Sequence, residues 1–421
     1  MPSALRVPVL LALLVGTSGV QAATPCNLSL GVVMELTGAA GAYGQAAAKS
    51  VNLALEDLNE SAQGDDCRFT ADIRDSQSSP TVAVDAAQQL VTLRRVPILI
   101  GGIVSATTLP ILTSVTGPAD VLQISPAASS PRLSELGRAG ARPGRFLRTI
   151  TSDALQGTAA ARQARTQTLG RIVILYANND FGVGLQQEFT RAYRALGGQV
   201  LAAVGYTEHG SSYQTEVSRL LALHPDSLYL VATPVDGATI ARAWIAAGGP
   251  RRFLLNDGMN SSDFIRAVGA KYLDQAYGTS SGTVPSASSQ YFAKAFRTRA
   301  KDDPESPAAD RSYDATVLAG LALLASPKRD GASLRMAVAR ITDPQGEIIH
   351  AGAAELRRAR ALLRRGKPLR YEGVIGAVTF DEAGDIAGPF RLWRIEHGEV
   401  RTTGQMTAEE VASLRKQAGT K

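Results

Sequence analysis

From Leu28 to about Gly282 the chain alternates between two kinds of apolar pattern. Short stretches at 28–34, 67–75, 97–101, 121–125, 171–177, 199–206, 227–233, 252–256 and 276–282 either run apolar without a break or alternate with period two, as strands do. Between them, segments at 44–60, 80–94, 105–116, 153–168, 183–197, 211–223, 236–248 and 261–268 carry their apolar residues at helical spacing. A βαβα rhythm of this kind predicts parallel sheets covered by helices on both faces, an α/β fold. Two such series are predicted, parting near Phe146-Leu-Arg-Thr149 and ending near Gly282-Thr-Val-Pro285. Helical patterns at 288–300, 311–325, 332–341 and 352–365 follow, then strands at Ala377–Phe380 and Phe390–Glu396 joined by the turn Asp381–Asp385. The stretch Asp302–Asp310, rich in Asp and Pro, is a loop.

The first 23 residues follow a different pattern. Arg6 ends a short basic start, Val7–Val15 is almost unbroken apolar sequence, and Val20-Gln-Ala22 closes on small residues before Ala23. That is the pattern of a secretory signal peptide cleaved near Ala22/Ala23, and the apolar run is too short to span a bilayer. No Cys stands at the cleavage point, so a lipid anchor is not supported. The mature protein is expected to be exported and soluble, beginning near Ala23. About 400 remaining residues are too many for one compact core, so two domains are expected.

The net charge of +6 is spread thinly, with one cluster at Arg357, Arg358, Arg360, Arg364, Arg365 and Lys367. The cluster has no interleaved aromatics and reads as a solvated helix face, so no nucleic-acid partner is expected. Two cysteines in an exported chain suggest one disulfide. Cys26 and Cys67 each begin a predicted strand. If those strands are parallel neighbours in register, the Cα atoms lie about 4.8 Å apart, within bridging distance. Two unpaired thiols are the alternative.

No catalytic constellation is present. Gly182-Val-Gly184 lacks the third glycine of a dinucleotide loop, and Asp180-Phe-Gly182 lacks the other motifs of a kinase. The four histidines are scattered, and Asp381–Asp385 lacks the distal Glu of a calcium loop. Neither a metal nor a cofactor is expected, nor is enzyme activity.

The segments Gly31-Val-Val-Met-Glu-Leu-Thr-Gly-Ala-Ala-Gly-Ala-Tyr-Gly44, Ala54-Leu-Glu-Asp-Leu-Asn59, Ile100-Gly-Gly-Ile-Val-Ser-Ala-Thr107, Ile124-Ser-Pro-Ala-Ala-Ser-Ser-Pro131, Phe146–Thr149, Tyr176-Ala-Asn-Asn-Asp-Phe-Gly182, Tyr313-Asp-Ala315 and Gly376-Ala-Val-Thr-Phe-Asp381 occur in that order. Together they resemble periplasmic binding proteins of the branched-chain amino-acid type over nearly all the mature chain. The resemblance implies a type I periplasmic binding fold, two Rossmann-like lobes joined by three crossing segments, acting as a monomeric receptor for an ABC-type permease. Its crossings would fall near 148, 283 and 388, giving 1–22 as signal peptide, 23–148 with 284–387 as one lobe, and 149–283 with 388–421 as the other.

Ligands of open parallel sheets bind beyond the carboxyl ends of the strands. Gly101-Gly-Ile103-Val-Ser105 sits there, with a hydroxyl and a helix start suited to a carboxylate. By resemblance Ser105 contacts the ligand's α-carboxylate, with Ile103 in the same loop, and Ala128 and Ser129 form the second carboxylate-side loop. Asp257 matches the acid that holds the α-ammonium, and is one methylene shorter than the Glu usual in the family. Tyr43 matches the aromatic wall of the side-chain pocket. Phe181 stands where Tyr is usual, and Thr233 where an aromatic is common. The implied function is capture of a small carboxylate-bearing solute, an amino acid, for delivery to a membrane permease. The alternative is an exported sensor of the same fold for amides or aromatic or organic acids.

Overall fold

The computed structural model describes residues 26–64, 66–138 and 145–419. The signal-peptide segment lies outside the described residues. Strands β1 (Asn27–Met34), β2 (Arg68–Asp75), β3 (Ile98–Gly101), β4 (Leu122–Ser125) and β5 (Phe146–Arg148) form a parallel sheet in the order β2-β1-β3-β4-β5. Side chains along β1 divide between two cores. Leu28, Leu30, Val32 and Met34 face the helices at 41–60 and 309–325, while Val33 faces the helix at 80–92. Both faces are covered, which is why β3 and β4 are buried at every position.

The second lobe repeats the device. Strands β6 (Arg171–Ala177), β7 (Gln199–Tyr206), β8 (Ser227–Val231), β9 (Phe253–Leu255) and β10 (Tyr277–Ser281) are parallel. In β6, Val173, Leu175 and Ala177 enter one core, and Ile172 and Ile174 the other. Strands β11 (Glu347–Ile349), β12 (Leu369–Gly373) and β13 (Gly376–Ala377) make a small third sheet. The final strands, β14 (Phe390–Glu396) and β15 (Glu399–Met406), extend the second lobe's sheet antiparallel to β10, giving the order β15-β14-β10-β9-β8-β6-β7.

The chain passes between the lobes three times: from β5 to the helix Asp153–Thr166, from β10 to the helix Ala287–Ala295, and from β13 to β14. These connections lie side by side. Thr151 pairs with Ile386, and the Gly282 N–H donates to the Pro389 carbonyl at 2.8 Å.

Several expectations are corrected. Asp381–Asp385 does not join two strands of one hairpin. It closes Phe380 against Ile386, while β13 pairs with β12 and β14 belongs to the other lobe. The strand expected at 377–380 shrinks to Gly376–Ala377, because only Glu372 and Gly373 are there to pair with it. Phe146–Arg148 is a strand of the first sheet, Pro131–Arg138 is a helix, and β15 and the helix Ala408–Gly419 follow β14. Arg360 does not belong to a solvated face. It is 3 % exposed, donates to Ser61 Oγ and to the carbonyls of Leu58 and Cys67, and stacks over the Phe69 ring.

Cys26 and Cys67 are bridged. The register pairs Asn27 with Arg68, so the two cysteines meet one position earlier, with Cα atoms 4.4 Å apart.

Candidate functional site

The loops at the carboxyl ends of both parallel sheets face one another across a cavity of about 390 Å³. From the first lobe it is lined by Tyr43, Ile103, Ser105, Ala127 and Ser129, and from the second by Phe181, Thr233, Asn256 and Asp257. Seven of the eight expected ligand residues therefore converge. Ala128 does not. Its side chain packs among Leu109, Leu133 and Phe146, its N–H donates to Ser125 Oγ, and the neighbouring Ala127 turns toward the cavity instead.

The two serines differ in hydrogen-bond polarity. Ser105 opens the helix Ser105–Ile111, and its oxygen accepts the Ser130 N–H at 3.1 Å. Its own proton is bound to no group among the described residues, so Ser105 can donate into the cavity. Ser129 has already given its proton to Asp153 Oδ2, at 2.8 Å. Its oxygen can then only accept.

Asp153 is fully buried behind Ser129, and its second oxygen has no hydrogen-bond partner among the described residues. Burial, then the nearby Asp257 carboxylate, push the Asp153 carboxyl well above the usual range. Asp257 follows β9 after one residue, Asn256. It accepts long hydrogen bonds from Gln156 Nε2 at 3.3 Å and Asn256 Nδ2 at 3.4 Å, and no cation among the described residues pairs with it. Asn256 is itself held by the Ala232 N–H, 3.0 Å from its side-chain oxygen.

Sequence reasoning missed the residues that hold these loops. Glu35 follows β1 and is buried, and its carboxylate accepts from the Ile103 N–H at 2.9 Å and from the Thr107 hydroxyl. It fixes the loop that presents Ser105. Burial pushes the Glu35 carboxyl upward, and these hydrogen bonds partly offset that. An acid ending an otherwise apolar strand, Gly31-Val-Val-Met-Glu35, was the available signal. Arg148 is also buried. It donates from Nε to Asp385 Oδ1 at 2.7 Å, from Nη1 to the Ala128 and Ser130 carbonyls at 3.1 and 3.0 Å, and from Nη2 to Ser134 Oγ at 2.7 Å. One side chain thus ties the loop carrying Ser129 to the third connection between the lobes.

The lobes touch across the cleft. Tyr43 Oη donates to the Gly258 carbonyl at 3.0 Å, and Ser130 Oγ to the Asp180 carbonyl at 3.0 Å. A Cβ at Gly258 would lie 3.0 Å from Tyr43 Oη, a tight contact from which the ring would have to shift slightly. Among the described residues no cluster suited to a metal ion occurs, and no helix is long and apolar enough to cross a membrane.

Comparison with known proteins agrees with this architecture. A Leu/Ile/Val-binding protein homologue of Brucella melitensis is 22% identical over 386 residues, 91% of this chain and 95% of that protein. The leucine-binding protein LivK of Thermotoga maritima superposes with a TM-score of 0.76 at 19% identity, covering 91% of this chain and 99% of that one. LivJ of Streptococcus pneumoniae, solved in complex with isoleucine, gives 0.72 at 19% identity, covering 90% and 99%. The family model for periplasmic binding proteins matches residues 27–399, from the first strand to the last hairpin. With two parallel-sheet lobes closing on one cleft, the chain belongs to the periplasmic binding protein family.

Proposed function

We propose that this protein is an exported receptor that captures a small α-amino acid between its lobes and delivers it to an ABC-type permease, without chemical turnover. The observation that carries the reading is the divided polarity of the cavity wall. Ser105 offers a proton, which suits a carboxylate. Ser129 offers a lone pair and Asp257 a carboxylate with no cation, which suits an ammonium. An α-amino acid presents those two groups one carbon apart. A volume of about 390 Å³ falls within the ordinary range for small-molecule sites.

Periplasmic binding proteins are a standing example of hinge closure about a ligand. The three adjacent connections are the places where this chain would bend. A ligand that touches Ser105 on one lobe and Asp257 on the other favours the closed form by its differential affinity, and closure is what the permease would sense.

A thermal-shift screen of amino acids, amides and aromatic acids identifies the ligand. At 100 times its dissociation constant it should stabilise the protein by about 2.7 kcal/mol. Asp257→Asn should then weaken the α-amino acid at least tenfold by calorimetry while barely changing its des-amino analogue. Equal losses for the two, or a wild type that prefers the des-amino acid, would replace this reading with an organic-acid receptor or sensor.

A further inference from the structure

The cavity wall carries more negative charge than an α-ammonium alone requires. Its lining includes four carboxylates, Glu208, Asp257, Glu305 and Asp310, two guanidiniums, Arg311 and Arg391, and the His209 imidazole. Both guanidiniums are already matched: Arg311 pairs with Asp310 at 2.8 Å and Arg391 with Glu305 at 3.2 Å. Asp257 and Glu208 form no ion pair among the described residues. The amino-acid reading assigns Asp257 to the ligand's ammonium and leaves Glu208 unexplained.

Glu208 lies just beyond the end of β7 and is held by a single bond. Asn179 Nδ2 donates to its Oε2 at 2.8 Å, while the Asn179 oxygen caps the next helix by accepting the Gly182 N–H at 2.9 Å. The amide is fixed from one side and aims the carboxylate from the other. Behind it, Asp236 is buried and accepts the Tyr213 hydroxyl at 2.8 Å and the His209 N–H at 3.2 Å, again with no cation. The Tyr206 hydroxyl beside them is buried. The adjacent Thr233 hydroxyl is buried and unpartnered among the described residues. Carboxylates grouped without counter-charge raise one another's free energy unless a cation arrives.

We propose that Glu208 is a second cation-recognising group of the cavity and that the ligand is an amino acid with a positively charged side chain. The inference rests on the amino-acid reading of the same cavity and narrows it. The α-ammonium meets Asp257 and Ser129, and the side chain runs past Tyr43 and Phe181 to Glu208. Both side chains are aromatic and line the cavity, and aromatic rings attract cations, while Thr233 contributes little bulk. The chain's net charge of +6 does not oppose this, because surface charges more than about 8–10 Å away are screened while the wall groups are in contact.

The test is calorimetry with ornithine and arginine against norleucine and citrulline, which match ornithine and arginine in side-chain length without the charge. The wild type should bind a basic member at least tenfold more tightly than its uncharged counterpart. Glu208→Gln, an isosteric change in a half-exposed loop, should remove that preference and leave norleucine within twofold of its wild-type affinity. Circular dichroism would check that the variant remains folded. Equal wild-type affinity for ornithine and norleucine, or a Glu208→Gln loss shared by both, would overturn the proposal. In that event Asp257→Asn weakening every α-amino acid alike would leave the amino-acid reading standing. If no α-amino acid binds at all, both readings fall together.

Discussion

At the scale of single residues, the site is set by which partner each hydroxyl already has. Ser105 and Ser129 are the same side chain on successive loops, yet one is a donor toward the cleft and the other an acceptor. Ser105→Ala should weaken ligand binding by about 1–3 kcal/mol, the worth of a hydrogen bond to a charged group. The Ser130 N–H loses its acceptor in the same variant, so a small loss of thermal stability is expected as well. Calorimetry and a melting curve separate the two effects. Unchanged affinity with lowered stability would assign Ser105 to bracing Ser130 alone. Residue type and loop position made both serines visible in the chain, but Asp153, which reverses the polarity of Ser129, was not. It stands 24 residues away and is brought close only by the first connection between the lobes.

At the scale of elements, the decisive contact is the one from β5 to the Asp381–Asp385 turn. Arg148 and Asp385 are 237 residues apart, and their side chains are 0 % and 10 % exposed. Removing one partner of a buried pair leaves a charge without solvent or counter-charge, at a typical cost of about 3–5 kcal/mol. Arg148→Met should lower unfolding stability by about that amount in urea titration. It should also weaken ligand binding, since the Ala128 and Ser130 carbonyls lose their donor. Adding Asp385→Asn should recover much of the stability, because no buried charge is then unpaired. A single variant costing under about 1 kcal/mol would show that water reaches the pair. The disulfide is the element-scale feature most legible in the chain, because two strands that begin alike and lie in register must bring their first residues together. β15 was not legible: it is exposed along most of its length, and its strand geometry comes from pairing with β14.

At the scale of the whole molecule, buried acids should govern how stability varies with pH. Burial holds the Asp314 carboxyl up to about 7, even though it accepts from Tyr371 and from the Val374 and Ile375 N–H groups. Burial raises Glu35 and Asp153 in the same direction. An acid whose pKa is higher folded than unfolded keeps its proton in the folded state after the unfolded chain has released it. Through Asp314, stability therefore falls as pH rises from about 4 to 7. For Asp314, a carboxyl held up to about 7 corresponds to a loss of about 4 kcal/mol across this window. Acids held low, such as Asp75 with its three N–H donors, lose their contribution only below the ordinary carboxylate range, so they do not mask this window. Denaturant unfolding between pH 4.5 and 8 should show the decline. A flat or rising profile would mean that the hydrogen bonds to Asp314 outweigh its burial.

The alternation of apolar runs and helical stretches was enough to place every parallel strand of the second lobe and four of the five in the first. A strand covered on both faces must be apolar nearly throughout, whatever its neighbours are, so the signal is local. The same holds for the ligand loops, which follow those strands directly. Charge was another matter. Arg148 and Arg360 carry the composition of surface residues, and only partners hundreds of positions away make them interior. Glu35, Asp153 and Glu208 are likewise ordinary acids in the chain. Which of them meets a hydroxyl, which an N–H, and which no cation at all is decided only when the two lobes face each other. Burial and counter-charge are properties of the space around a group, and the folded molecule creates that space.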